Sequence, residues 1–126
     1  MTETRIRYIV DDVDAAVEFY TRHLGFEVRM RPGPGFAMIG REDLCLLLNS
    51  PGGGGGAGHS PVAGDKPEPG GWNRFQIQVD DLAAVVDGMR RGGVRFHGDI
   101  ITGRGGRQAL VLDPAGNKVE LFEAFG

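Results

Sequence analysis

The sequence predicts an α+β fold made of two β-α-β-β-β modules, and three observations favour it. The 126 residues suit one domain, spanning 1–126, that buries roughly two-thirds of its unfolded surface. A Gly- and Pro-rich stretch at 50–71 divides the chain near its midpoint. The segments on either side repeat the same order of strand and helix signals. We therefore expect module 1 at 1–49, a flexible linker at 50–71 and module 2 at 72–126.

The first strand of each module leads into a helix cap. Segments 5–13 and 74–82 align, each beginning with an arginine and ending in paired aspartates, Asp11-Asp12 and Asp80-Asp81. Hydrophobic residues alternate with polar ones between them, which places the hydrophobic side chains on one sheet face. They are Ile6, Tyr8 and Val10 in the first segment and Phe75, Ile77 and Val79 in the second. The aspartates are expected helix N-caps.

An amphipathic helix and three short strands follow in each module. The helical positions are Val13, Val17, Tyr20 and Leu24 before Gly25, and Leu82, Val85, Val86 and Met89 before Gly92-Gly93. We expect strands near 26–31, 36–40 and 44–48, and again near 94–101, 107–112 and 118–123, with a hairpin turn at 113–117. A helix covers one face of each sheet, so the two free faces would form a curved sheet around a cleft.

The amino-acid composition limits the cellular compartment and the classes of partner that we expect. The net charge of −3 provides no basic field, so we expect no nucleic-acid partner. Cys45 is the only cysteine, which excludes an intrachain disulfide and fits the reducing cytoplasm. The N-terminus lacks a signal sequence, and no apolar run reaches the ~20 residues that cross a bilayer. The expectation is a soluble cytoplasmic protein without a membrane partner.

Two motifs carry a family resemblance. They are Val10-Asp-Asp-Val-Asp-Ala-Ala-Val-Glu-Phe-Tyr20 followed by Leu24-Gly25-Phe26, and Asp113-Pro-Ala-Gly-Asn-Lys-Val-Glu-Leu121. Together with the internal repeat, they resemble the vicinal oxygen chelate superfamily of glyoxalases, bleomycin-resistance proteins and extradiol dioxygenases. The resemblance spans essentially the whole chain and implies paired glyoxalase-like modules.

The resemblance also says where metal ligands would lie, in the first and last strand of each module. The aligned positions are Arg5, Cys45, Arg74 and Glu120. Only Glu120 is a normal ligand, because a guanidinium has no lone pair to donate. The three histidines, His23, His59 and His97, fall on the first helix, in the linker and after the second helix. We therefore expect no metal and no other cofactor.

Strand alternation predicts a ligand pocket at the same place. If Tyr8 faces the helix, Arg5 and Arg7 face the cleft, and Arg74 does so from module 2. Guanidinium groups there need acceptors, either Glu120 or ligand oxygens. The expected ligand-binding residues are Arg5, Arg7, Phe36, Met38, Cys45, Trp72, Arg74, Gln76, Glu120 and Phe122. The alternative places the arginines at wet strand ends, paired with surface carboxylates.

Two classes of function remain open. One is a metal-free binding protein that sequesters a planar aromatic or antibiotic-like small molecule, as the bleomycin-resistance branch of the family does. The other is an enzyme, either a metal-dependent lyase, isomerase or dioxygenase, or a cofactor-free one with Glu120 as base. For the binding protein, Arg74→Ala and Trp72→Ala should weaken binding and leave thermal stability nearly unchanged. The family also implies a homodimer, and the long linker would make exchange of modules easy.

Overall fold

Each half of the chain forms a mixed four-stranded sheet with one helix packed on it. The computed structural model describes residues 3–53 and 55–126, so Met1, Thr2 and Gly54 of the predicted module 1 and linker lie outside the described residues. The chain divides into two compact units, one ending at Gly70 and the other beginning at Gly71. The predicted α+β class with two β-α-β-β-β modules is confirmed.

Unit 1 contains β1 (Arg5–Ile9), α1 (Val13–His23), β2 (Glu27–Gly33), β3 (Phe36–Arg41) and β4 (Leu44–Asn49). Its strand order is β1-β4-β3-β2, with β1 parallel to β4 and the other pairs antiparallel. Asp12 caps α1, since its side chain accepts from Ala15 N at 3.1 Å. The residues that α1 buries are Val13, Ala16, Phe19 and Tyr20. The sequence analysis chose Val17 for this face, but Val17 is only half-buried.

Unit 2 contains β5 (Gln76–Gln78), α2 (Leu82–Arg91), β6 (Ile101–Thr102), β7 (Gly106–Leu112) and β8 (Lys118–Ala124). The order β5-β8-β7-β6 repeats the topology of unit 1, including the parallel outer pair. Asp81 caps α2 through a 3.1 Å bond from Ala84 N. α2 packs on β7 and β8 through Leu82 and Val86.

The strand predicted at 94–101 is much shorter than expected. Phe96 forms a single bridge with Val111, and regular pairing resumes only at Ile101–Thr102. Gly98 lies between them at φ +80°, a conformation that interrupts an extended strand.

The predicted linker contains local structure. A 3-10 helix covers Gly55–Gly58, and a bond of 2.6 Å from Gly52 N to Gly58 O closes the chain on itself. A side chain at Gly58 would overlap the carbonyl oxygen of Gly53, so the turn requires glycine there. The glycines within 52–53 and 55–58, called the glycine turn below, therefore form local structure within the predicted linker.

Candidate functional site

In unit 1 the predicted residues lie on the sheet face opposite α1. Strand register aligns Arg5 with Cys45 and Arg7 with Leu47, and Leu47 in turn aligns with Met38 of β3. Phe36 and Met38 are half-buried, whereas Cys45 is 1% exposed. Four of the predicted residues, Arg7, Phe36, Met38 and Cys45, therefore share this face with the half-exposed Arg5.

The two arginines of β1 have different surroundings. The Arg5 side chain is 46% exposed and its Nε donates to Glu3 Oε1 at 2.7 Å. This hydrogen bond raises the pKa of Arg5 above its ordinary value. Arg7 Nη1 donates to the side-chain oxygen of Asn49, which is fully buried. Arg5 thus has the environment of the wet strand-end alternative, and Asn49 is a site neighbour that sequence reasoning missed.

In unit 2 the site is built around Glu120 on β8. Glu120 is 9% exposed, and both of its carboxylate oxygens accept hydrogen bonds. Oε1 accepts from Arg74 Nε at 3.0 Å and Nη2 at 2.8 Å. Oε2 accepts from Gln76 Nε2 at 2.6 Å, because Gln76 is the register partner of Glu120 on the parallel strand β5. This set of three side chains, Arg74, Gln76 and Glu120, is called the Glu120 network below.

Trp72 lies beside the Glu120 network and is held in place despite being 64% exposed. Lys118 Nζ lies 4.3 Å from the indole centroid and also donates to Gly71 O at 2.9 Å. His97 packs edge-on against the same ring, with centroids 5.5 Å apart. Arg74 Nη1 donates to the Trp72 carbonyl at 3.3 Å. The exposed indole is therefore anchored on several sides, and Lys118 is an anchoring residue that the sequence analysis did not select.

Phe122 is the last of the predicted ligand-binding residues, and it lies two residues beyond Glu120 on the same face of β8. It is half-buried and aligns with Gln78 and Gln108 on the neighbouring strands. Leu110 of β7 aligns with Glu120 itself and is 9% exposed. Apolar side chains thus border the Glu120 network on this face.

The internal repeat identifies the counterpart of Glu120 in unit 1. Arg7 of the first repeat aligns with Gln76 of the second, and their register partners are Leu47 and Glu120. Leu47 is therefore the counterpart, whereas the sequence alignment had chosen Cys45, two residues away on the same face. A leucine has no donor atom for a metal ion.

The donor set does not fit a divalent cation. Arg5 and Arg74 offer no lone pair, Leu47 offers no heteroatom, and the Glu120 carboxylate already accepts three bonds. Among residues 3–53 and 55–126 no group of three His, Cys, Asp or Glu side chains is arranged to hold a metal. A catalytic zinc site needs about three protein ligands.

The topology and the site together define a paired-module α+β protein, in which each unit carries polar side chains on the sheet face opposite its helix. The chain belongs to the Glyoxalase/Bleomycin resistance protein/Dioxygenase superfamily, whose family model matches residues 4–121. No curated protein matches the chain.

Solved structures share this fold at low sequence identity. A glyoxalase/bleomycin resistance protein/dioxygenase from Nocardioides is 23% identical, with a TM-score of 0.74 over 99% of this chain and 84% of that one. A lactoylglutathione lyase from Agrobacterium tumefaciens is 23% identical, with a TM-score of 0.70 over 98% and 92%. TnmS3, an antibiotic-binding protein from Streptomyces sp. CB03234, is 22% identical, with a TM-score of 0.71 over 99% and 97%. The fold is thus common to structures described as a lyase and as a binding protein.

No helix in the described ranges is both long and apolar enough to pass through a bilayer.

Proposed function

We propose that this protein is a metal-free small-molecule-binding protein of the superfamily that sequesters a planar aromatic or antibiotic-like ligand. The observation that carries the proposal is the Glu120 network. The family resemblance implies a metal-ligand position at Arg74, whose guanidinium instead neutralises Glu120 at 2.8 Å. A cation placed there would face the positive charge of Arg74 and would compete with three existing bonds for the Glu120 carboxylate.

The groups around Glu120 suit a planar ligand that carries oxygen atoms. Trp72 presents a large exposed ring, and stacking on such a ring favours flat molecules. The Arg74 side chain is 26% exposed, so it can donate to a ligand oxygen while it stays paired with Glu120. Sequestration requires only such a surface and no nucleophile. The shared fold with the antibiotic-binding protein TnmS3 is compatible with this choice, as the fold it shares with a lyase is with the alternative.

The enzyme alternative has less support from the same residues. A general base must have a free lone pair within reach of the substrate proton. Three donated bonds occupy three of the four lone-pair sites of the Glu120 carboxylate, so at most one site is left for a substrate proton. Metal-dependent chemistry would need donors that Arg5, Leu47 and Arg74 do not supply.

Metal analysis separates the two classes. Protein purified without chelator should contain far less than one equivalent of zinc, iron, manganese or nickel. One equivalent of any of these, lost together with a change in Tm on dialysis against chelator, would contradict the proposal.

Ligand binding is tested with a planar probe that carries an acidic oxygen, 2-hydroxy-1,4-naphthoquinone. Calorimetric titration should show saturable binding that weakens about two- to tenfold in Trp72→Ala, because one aromatic contact contributes roughly 0.5–1.5 kcal/mol. Arg74→Gln should weaken binding by a similar factor through loss of the charged donor. Phe125→Ala and Arg104→Gln are the matched controls, since both residues are exposed and lie elsewhere on unit 2. Equal binding by all four variants and the wild type would refute the assignment of the site.

The homodimer, the cytoplasmic location and the lack of a nucleic-acid partner stay predictions. Light scattering on purified protein tests the homodimer, for which we expect twice the mass of the 126-residue chain.

A further inference from the structure

We propose that a pocket within unit 1 binds an uncharged, planar aromatic group. The pocket lies between the β2–β3 hairpin and the start of the glycine turn, and its volume is about 760 Å³. The residues that line this proline pocket are 32–36 and 50–53, which include Pro32, Pro34, Phe36 and Pro51. The inference rests on the proposed function for its class of ligand, and it adds a binding surface that lies wholly in unit 1.

The walls of the proline pocket suit a flat apolar molecule. Three proline rings and the half-buried ring of Phe36 provide its apolar surface, and the volume lies within the range of about 300–1,000 Å³ typical of ligand sites. Proline has a fixed φ and no side-chain rotamers to lose, so its rings lose little conformational entropy when a ligand binds. A rigid wall of this kind fits a rigid ring system better than a flexible chain.

The pocket also selects against charge. None of the described residues that line it carries an ionisable side chain, and the only side-chain hydroxyl is that of Ser50. A charged group that enters the pocket would find no counter-charge among these residues. The expected ligand group is therefore neutral, with any hydrogen bonds made to backbone groups or to Ser50.

The glycine turn shapes one side of the pocket. Ser50 N donates to Gly35 O at 3.1 Å, which fastens the turn to the hairpin. Gly53 N donates to Ser50 O at 3.0 Å, and Gly52 N donates to Gly58 O. Gly58 packs so closely on Gly53 that a side chain would push the pocket residues 52–53 out of place. The same addition at Gly56 meets no atom within 4 Å. These two glycines form a matched pair for mutation.

The test uses Nile red, a neutral planar dye that becomes fluorescent in apolar surroundings. The full-length protein should bind it saturably at one site per chain. Phe36→Ala should weaken the dye affinity about tenfold, the scale of one aromatic contact, and Gly58→Ala should weaken it at least as much. Gly56→Ala, and Phe125→Ala as a matched loss of an exposed ring, should stay within about twofold of wild type. Thermal unfolding of each variant confirms that it is folded, and Phe36→Ala alone decides the result if Gly58→Ala is unfolded.

Several outcomes would overturn the inference. Dye affinity equal to wild type in Phe36→Ala would do so, as would an equal loss in Phe36→Ala and Phe125→Ala. A third outcome would be that the protein does not bind the dye and that Phe36→Ala changes its molecular mass in solution. The pocket would then be an interface between copies of the chain.

Failure of the proposed function has a different signature. The proposed function is refuted by stoichiometric metal, or by naphthoquinone binding that is unchanged in the Trp72 and Arg74 variants. Either result has this meaning regardless of the outcome with Nile red. Dye binding that depends on Phe36 and Gly58 would then still identify an aromatic-binding pocket.

Discussion

Replacing Arg74 with alanine should destabilise the protein, contrary to the expectation from the sequence. Glu120 is mostly buried, with its side chain 11% exposed, and Arg74 donates two bonds to its Oε1. The variant leaves that oxygen without its cation in a site with little water. A buried acceptor that loses its partner costs roughly 1–3 kcal/mol, so we expect a loss of about 2 kcal/mol. With typical urea slopes, the unfolding midpoint should fall by about 1 M.

The matched control is the equivalent arginine of the first repeat. Arg5 pairs with Glu3, but both side chains are about half exposed, at 46% and 55%. Exposed ion pairs contribute little to stability, so Arg5→Ala should unfold at the wild-type midpoint. The double variant Arg74→Ala with Glu120→Gln should recover part of the lost stability, because a neutral amide needs no counter-charge.

Urea titrations of the four proteins, followed by circular dichroism, provide these midpoints. The reasoning is refuted if Arg74→Ala unfolds with the wild type, or if Arg5→Ala loses as much stability as Arg74→Ala.

Two further predictions concern unit 2. The Glu123 carboxylate accepts from Arg107 Nη2 and from Leu82 N at the start of α2, each at 2.8 Å, and these bonds, the one from Arg107 first, hold the pKa of Glu123 below its ordinary 4.5. The Glu123 carboxylate therefore contributes its full stabilisation above pH 4.5, and this stabilisation is lost as the pH falls through the lowered pKa. The difference in Tm between wild type and Glu123→Gln should shrink below pH 4.5. A difference in Tm that stays constant down to pH 3 would contradict this. Asp113 is fully buried and accepts from the backbone and side chain of Asn117 at 2.9 and 3.0 Å. Asp113→Ala should lower the free energy of unfolding by about 2–4 kcal/mol, and a urea midpoint within error of wild type would show that the turn is held by other contacts.

Most of the fold could be predicted because its signals are local. Asp12 and Asp81 cap the two helices as the paired aspartates indicated, and the strand alternation around Tyr8 and Ile77 buries the predicted face. The errors arose where one residue changed the backbone path. Gly98 interrupts the strand predicted at 94–101 by its positive φ, which its neighbours do not reveal.

The site was less predictable from sequence. Alternation gave the face on which Arg74, Gln76 and Glu120 lie, but it could not give their hydrogen bonds. Alternation also could not give the strand register. The sequence alignment was shifted by two residues, so it selected Cys45 in place of Leu47 on the same sheet face. Such a shift is invisible to a period of two.

By itself, the sequence determined the class of fold, the order of its elements, the caps and the family. The caps and the individual elements depend on residues within one or two turns of each other, and the class of fold and the family follow from the order in which these local signals repeat along the chain. Tertiary structure decided that Glu120 is neutralised by Arg74, 46 positions away, and that Gly58 packs onto Gly53 to shape a pocket. Those contacts depend on strand register and chain reversal, which bring distant residues within bonding distance only after the sheet has formed.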